Sequence, residues 1–323
     1  MKAVVVRAAG GPEVLEYTEV TQPPVGAEDV LIDVAATGVN FIDIYQREGI
    51  YDMPLPYTPG LEGSGTISAV GSDVTDFAPG DRVAWAGGLG SYAEQVVRHP
   101  DTLVRVPDTV TDLQAAQLML QGLTAHYLIT SVFDIKPGHT ALVHAAAGGV
   151  GLLLCQLISQ RGGTVIGTVS TEAKENAARA AGATHVIRYD QDGVAEQVSS
   201  LTGGTGVDVV YDGVGKSTFD ASLASLRTRG LLALFGQSSG AVEAFDPQIL
   251  NQRGSLSLTR PSLAHFVATP EELRWRASEL LGAVAAGTLE LALHDTYPLE
   301  DAAHAHRDLA SRATSGKLIL LPQ

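Results

Sequence analysis

The stretch that most constrains this chain is Thr140-Ala-Leu-Val-His-Ala-Ala-Ala-Gly-Gly-Val-Gly151. A β-prone apolar run from Ala141 to Val143 meets a turn of small residues. Gly151 then opens Leu152-Leu-Leu-Cys-Gln-Leu-Ile-Ser-Gln160, whose apolar spacing is that of a buried helix. Strand, turn and helix in this order set backbone N–H groups at a helix N-terminus, and Gly148, Gly149 and Gly151 leave no side chain in front of them. A phosphate group needs such a surface. Ala146 stands where the first glycine of a G-x-G-x-x-G fingerprint would, with Gly148 and Gly151 in the other two places. Taken alone, the motif also suits a glycine-rich turn in any α/β protein.

The residues that follow decide between these readings. Thr164–Val169 reads as a strand, Thr171–Ala181 as a helix, Thr184–Arg188 as a strand and Val194–Leu201 as a helix, and Val207–Tyr211 and Leu231–Phe235 continue the series. Strands at this spacing, with helices between them, require right-handed crossovers and a parallel sheet. The glycine turn therefore lies in a doubly wound α/β domain, where a dinucleotide crosses the carboxyl ends of the strands.

The rest of the chain has a different grammar. Within its 323 residues, 45% are apolar and only 18% charged, enough for two globular domains. Lys2–Arg7, Val30–Ala35, Gly65–Val70, Arg82–Trp85, Ala93–Val97 and Thr102–Val106 are short β-prone runs between Gly, Pro and Asp turns, so this part reads as a mostly β domain. Helical periodicity returns near Leu113–Ile129. Beyond Arg260-Pro-Ser262 come a helical stretch Glu271–Ala286, a strand-like Leu291–Tyr297, a helix Glu300–Ser311 and an apolar Lys317–Pro322. That tail is too small to fold alone. We expect residues 1–124 and 262–323 to form one domain and 125–261 the dinucleotide domain.

Charge and cysteine usage exclude several classes of function. The chain has 21 basic and 36 acidic residues, a net charge of -15, which repels nucleic acid and anionic membrane. A single cysteine, Cys155, excludes internal disulfides and reads as a buried inert thiol. The N-terminal Met1-Lys-Ala-Val-Val-Val-Arg7 is too short for a leader or membrane span, and the expectation is a cytoplasmic protein.

Together, Lys2-Ala-Val-Val-Val, Gly10-Gly-Pro-Glu-Val-Leu15, Gly38-Val-Asn-Phe-Ile-Asp43, Pro59-Gly-Leu-Glu-Gly63, Val70-Gly71, Pro79-Gly-Asp-Arg-Val83, Gly122-Leu-Thr-Ala125 and Ala145–Gly151 resemble the medium-chain dehydrogenase/reductase superfamily over essentially the whole chain. Asn40–Asp43, His144–Gly148, Phe235-Gly-Gln-Ser-Ser-Gly-Ala241 and Thr259-Arg-Pro-Ser-Leu263 are similar to its zinc-independent NADPH:quinone oxidoreductases, the zeta-crystallin-like branch. The resemblance implies a Rossmann cofactor domain and a GroES-like catalytic domain. It also implies cofactor contacts at Asn40, Thr124, Gly148, Gly149, Val150, Gly151, Phe235, Gly236 and Gln237.

Where the zinc alcohol dehydrogenases of that superfamily carry Cys, His and Cys, this sequence has Asn40, Leu61 and Leu120, and one cysteine cannot build a four-cysteine structural site. The expectation is an enzyme without metal. His304 and His306 stand two apart on a helix, a spacing that points them to different faces, and are read as solvated. His144 is read as packed and hydrogen-bonded.

Cofactor choice follows from the second strand of the dinucleotide domain. NAD-specific sites place an acid at its end, whereas here it ends Gly167-Thr-Val-Ser170. Ser170 can donate to a 2′-phosphate, Lys174 adds a cation and Tyr189 after the third strand closes the same site, as the resemblance implies for these three positions. The expected cofactor is NADPH, with Glu172 an unexplained negative neighbour. Holding the nicotinamide against an electron-poor acceptor suits a quinone or a conjugated carbonyl. Asn40, Tyr45 and Tyr51 are the candidates to meet it: Asn40 by hydrogen bonding the ribose or a substrate oxygen, the tyrosines by stacking or donating. Asp43 is read as structural. The alternatives are an alkenal or enone reductase and a non-catalytic NADPH-binding protein of crystallin or RNA-binding kind. Ser255–Thr259 reads as an exposed edge strand whose Leu256 and Leu258 a second copy would cover, giving a homodimer.

Overall fold

The computed structural model describes residues 1–189 and 193–322. Its backbone divides into two units, Met1–Leu123 with Val267–Gln323, and Thr124–Phe266. The first unit begins with β1 (Lys2–Val6), β2 (Leu15–Glu19), β3 (Val30–Val39), α1 (Phe41–Arg47), β4 (Glu62–Val70), β5 (Arg82–Ala86), β6 (Gln95–Arg98) and β7 (Leu103–Arg105), and α2 (Asp112–Tyr127) carries the chain onward. The second unit alternates β8 (Thr140–Val143), α3 (Gly149–Gln160), β9 (Thr164–Val169), α4 (Glu172–Ala180), β10 (His185–Arg188), α5 (Val194–Leu201), β11 (Val207–Asp212), α6 (Phe219–Ser225), β12 (Leu226–Leu234), α7 (Gln248–Gln252) and β13 (Ser257–Thr259). The chain then returns to the first unit with α8 (Pro270–Ala285), β14 (Leu293–Pro298), α9 (Ala302–Ser311) and β15 (Lys317–Leu321).

In the second unit the strands run in the order β10-β9-β8-β11-β12-β13, all parallel. Ala141, Leu142 and Val143 of β8 are fully buried, which is why this central strand reads as a continuous apolar run rather than an alternating one. The chain winds outward from β8 to β10, crosses back, and winds outward again from β11. The reversal leaves the carboxyl ends of β8 and β11 side by side, the place where a doubly wound sheet opens a crevice. Leu142, Ile166, Ile187, Val198, Val210 and Leu232 knit the sheet to its helices. This is the doubly wound domain that the alternation predicts.

The first unit is built on a seven-stranded sheet ordered β14-β15-β3-β4-β5-β7, with β6 also on β3, antiparallel except for the β14–β15 pair. Its core gathers Val30, Ile32, Ile67, Val83, Trp85, Val96 and Leu103. Strand β3 runs ten residues, past the expected Ala35 to Val39, and delivers Asn40 at its end.

Among the elements that depart from the sequence expectation are α1, β2 and the edge strand. Helix α1 was not legible as a helix because its buried residues include Asp43, Gln46 and Arg47. Strand β2 escaped because only Leu15 of its five residues is buried. The edge strand is three residues, not five: Ser255 takes a positive φ of 55°, and Leu256 is only 7% exposed, packed in its own unit. Leu256 therefore has no need of a second copy to cover it. Residues 262–266, expected with the first domain, go with the second unit, where the Phe266 ring stacks on Tyr127 at 4.4 Å.

Candidate active site

At the end of β8 the chain turns through Ala145, which holds a positive φ of 51°, and enters α3 with Gly148 as its N-cap. No side chain caps this helix and no acid lies in its first turn, so the N–H groups of Gly149 and Val150 point out of the helix mouth. A Cβ at Gly151 would lie 2.3 Å from the Ala145 carbonyl oxygen and 2.8 Å from the Ala146 Cα, so only glycine lets α3 sit this close to the turn. The same occurs between the loops after β11 and β12: a Cβ at Gly236 would meet the Gly213 oxygen at 2.4 Å. These cradles fit a dinucleotide, whose pyrophosphate needs backbone at close range.

A chain of hydrogen bonds fastens the strand ends together. Ser222 Oγ donates to Asp212 Oδ2 at 2.7 Å, so its oxygen accepts from His144 Nε2–H at 3.0 Å, and Thr168 Oγ1 lies 3.0 Å from His144 Nδ1. Burial pushes the His144 pKa down, with Asp212 opposing. The histidine is packed and neutral, as the sequence suggests. The other oxygen of Asp212 accepts from Val214 and Gly215 N–H and from Thr218 Oγ1, which orders the turn after β11. Phe235 and Gly236 N–H both reach the Asp212 carbonyl, tying the start of the Phe235–Gln237 loop to it.

Ser170 follows β9 directly, Thr171 caps α4 by accepting the Lys174 N–H at 3.3 Å, and Lys174 stands in that first turn. Tyr189 follows the neighbouring β10, its N–H bonded to the Val169 carbonyl at 3.1 Å and its side chain 56% exposed. Ser170, Lys174 and Tyr189 thus share one corner of the sheet's carboxyl edge. Burial lowers the Lys174 pKa. Of the two acids in the first turn of α4, Glu175 is bound by Arg179 at 2.8 Å, while the sequence's puzzle over Glu172 keeps no structural answer. Thr124 is buried in α2.

In the first unit Asn40 is the N-cap of α1, and its backbone N–H donates to Asp43 at 2.9 Å. Its side-chain Nδ2 donates to Glu62 Oε1 at 2.6 Å, and Lys317 Nζ donates to both Asn40 Oδ1, at 2.7 Å, and Glu62. The other Glu62 oxygen accepts the Leu120 N–H at 2.6 Å. Two of the three positions read as vacated metal ligands, Asn40 and Leu120, therefore meet at a buried carboxylate. Among the described residues no group of three or more His, Cys, Asp or Glu is placed to hold a metal ion. Tyr45 is buried in α1 and Tyr51 is partly exposed just beyond it, the two rings edge to face at 5.9 Å.

The sequence reading missed Glu62 and Lys317, although a charged residue inside Gly60-Leu-Glu-Gly-Ser-Gly65 and another opening the apolar Lys317–Leu321 were signals of a buried pair. It also misplaced His306. That residue is fully buried, with Nε2 3.0 Å from the Tyr92 hydroxyl, and Tyr92 donates in turn to Asp43 at 3.0 Å. His304 alone is exposed, as both were expected to be. Burial raises the Asp43 pKa to about 7, against the pull of the Asn40 N–H and Lys317. Burial, reinforced by Arg47, pushes His306 down to about 3.

Comparison with known proteins places this geometry. The family model described as zinc-binding dehydrogenase matches residues 149–280, and that of the alcohol dehydrogenase GroES-like domain matches residues 26–108. A quinone oxidoreductase of Pseudomonas aeruginosa is 45% identical over 99% of both chains. The crystal structure of Escherichia coli quinone oxidoreductase complexed with NADPH superposes with a TM-score of 0.98 at 42% identity, covering 100% of both chains. A 2-haloacrylate reductase of Burkholderia sp is 41% identical, again over 99% of each chain.

Proposed function

This chain belongs to the quinone oxidoreductases of the medium-chain dehydrogenase/reductase superfamily, and we propose that it carries out NADPH-dependent reduction of quinones by the residues assembled above. Bound NADPH supplies a hydride from its nicotinamide ring, and with one proton the quinone becomes a hydroquinone. Everything else falls to the protein. The N-terminus of α3 and the tight loop at Gly236 receive the pyrophosphate. Ser170, Lys174 and Tyr189 hold the 2′-phosphate. Asn40 faces the nicotinamide ribose, and Tyr45 with Tyr51 flanks a flat acceptor ring. A quinone oxygen takes its proton from water, so the site needs no strong acid.

The observation that carries this reading is the end of β9, where Ser170 stands in place of the acid of NAD-specific sites and Lys174 follows in the next helix turn. Steady-state oxidation of NADPH and of NADH with a benzoquinone tests it: NADPH should be preferred, and preference for NADH would end the reading. The similarity to a 2-haloacrylate reductase favours a second acceptor class, conjugated carbonyls. Rates with a quinone and an enal side by side separate the two. A folded protein that binds NADPH tightly but turns over neither acceptor would instead favour a non-catalytic role. The reaction runs without metal, supported by Asn40, Leu61 and Leu120 at the ligand places. Activity should survive chelator, whereas stoichiometric zinc with chelator-sensitive turnover would reverse this. No helix among the described residues is long and apolar enough to cross a membrane, and the reading extends to a cytoplasmic homodimer.

A further inference from the structure

We propose that Lys317 and Glu62 are positioning residues that lock the Asn40 carboxamide as a hydrogen-bond acceptor for a hydroxyl of the cofactor ribose. This rests on the reading that Asn40 faces the nicotinamide ribose. A carboxamide has two N–H donors and an oxygen with two lone pairs. Nδ2 of Asn40 donates to Glu62 Oε1 at 2.6 Å and toward the Gly38 carbonyl at 3.4 Å, while Oδ1 takes Lys317 Nζ at 2.7 Å. The other lone pair on Oδ1 lies toward the Asp43 N–H of the α1 capping box, but that N–H bonds the Asn40 main-chain oxygen at 3.1 Å and makes no side-chain cap bond, so it is the lone pair a hydroxyl can use. Turning the amide over would set its NH2 against the ammonium and its oxygen against the carboxylate, so the ion pair fixes which end is which. Asn40 can then accept from a hydroxyl but cannot donate to a carbonyl. A ribose hydroxyl is a donor and a quinone oxygen is an acceptor, so the locked amide selects the cofactor and takes no part in polarising the acceptor.

The surrounding backbone is cut to admit this arrangement. A Cβ at Gly38 would lie 2.2 Å from Glu62 Oε1 and 2.6 Å from Lys317 Cε, so the glycine in β3 makes the room that the pair fills. Glu62 and Lys317 are 0% and 2% exposed. A buried ion pair adds little net stability, yet removing one partner is expensive, which suits a pair retained for orientation.

The test is a double-mutant cycle on NADPH binding and on the Michaelis constants for NADPH and for a benzoquinone, with Asn40→Ala, Lys317→Met and the two together. Asn40→Ala and Lys317→Met should each weaken NADPH about tenfold. In the Asn40→Ala background Lys317→Met should then change NADPH binding by less than about twofold. The Michaelis constant for the quinone should stay put. Since Lys317→Met strands the Glu62 carboxylate, the charge-free pair Lys317→Met with Glu62→Gln, checked by its melting temperature, repeats the cycle in a protein that folds. It should show the same weakening, again absent without Asn40. Lys317→Arg should restore most of the affinity. If Asn40→Ala leaves NADPH binding unchanged, the reading of Asn40 fails and takes the proposal with it. If Asn40→Ala weakens NADPH but Lys317→Met acts by the same factor with and without Asn40, the proposal alone is overturned and the pair serves only the fold.

Discussion

The single residues proposed to carry specificity here differ in how far their partners lie along the chain. Ser170 and Lys174 sit four apart beside one strand end, so their role could be argued from the sequence. Lys174→Ala should raise the Michaelis constant for NADPH about ten- to a hundredfold, since a hydrogen bond between charged groups contributes roughly 1.5 to 3 kcal/mol. NADH, without the 2′-phosphate, should be nearly unaffected, and added salt should narrow the gap because the side chain is partly exposed. Equal losses for both cofactors would mean that Lys174 supports the fold or the pyrophosphate. By contrast, Glu62 and Lys317 are 255 residues apart, and His306 is 214 from Tyr92, so no local pattern announces either contact. Asp43 shows what such burial does to a carboxyl. Its pKa rises from 3.8 to about 7, so the folded state holds a proton that the unfolded state releases. The stability it contributes is complete below the unfolded pKa and is lost as pH rises through the folded one. Asp43→Asn, whose amide oxygen can still accept from Asn40 N–H and Tyr92, should remove that slope. The melting temperature of the variant relative to wild type should climb between about pH 4 and about pH 7 and level off above, by an amount equivalent to a few kcal/mol at most. His306, pushed down to about 3, contributes stability that is lost only as pH falls, and it does so in both proteins. A difference in melting temperature that stayed flat with pH would show that Asp43 is ionised in the fold.

Among the elements, the central strands and α3 were legible because their burial is apolar, and α4 and α5 because the alternation of strand and helix called for them. Strands β8, β9 and β11 lie inside the parallel sheet and are largely buried and apolar, broken by Gly167 and Thr168 in β9 and Asp208 in β11, while α3 buries Leu152, Leu153, Leu154, Cys155 and Ile158 along its length. Helix α1 lacks such a stripe: its inward side carries Asp43, Gln46 and Arg47, held by hydrogen bonding and charge that periodicity does not register. Where the sequence did speak about α1, it did so through Asp43, whose reading as structural agrees with its bonds to Asn40 and Tyr92. The junction of β8 and α3 is the most sharply constrained element boundary. Because a Cβ at Gly151 would strike backbone atoms of the turn rather than a side chain able to swing away, Gly151→Ala must push the helix off the turn. Forced overpacking of this kind costs about 1–3 kcal/mol. Thermal unfolding should show that loss, and NADPH affinity should fall with it, because the displaced N–H groups are those proposed to receive the pyrophosphate. A variant with unchanged melting temperature and unchanged NADPH affinity would mean that this close approach is not needed.

At the scale of the whole chain, the acidic excess that argues against nucleic acid lies almost wholly in the first unit, with 25 acidic against 11 basic residues where residues 124–266 hold 11 against 10, and the parallel sheet of the second unit ends on one side in β13. This edge offers a second copy a row of unpaired backbone groups. Leu256 is satisfied within its own unit, so the drive toward pairing comes from main-chain hydrogen bonds and from the half-buried Leu258, over a strand of only three residues. A pairing this short holds only if it closes on itself, as a two-fold arrangement does, because each bond made by one chain is then repeated by the other. The expected species is a homodimer, with light scattering at micromolar concentration giving twice the single-chain mass of 33.7 kDa. Ser257, exposed on β13, offers the control. Ser257→Lys brings like charges into the paired edges of both copies without touching the core of either. It should lower the mass to that of one chain while the melting temperature of the separated chains stays within a few degrees of the wild type. A single-chain mass for the wild-type protein would count decisively against pairing, and a dimer indifferent to Ser257→Lys would place the contact on another surface.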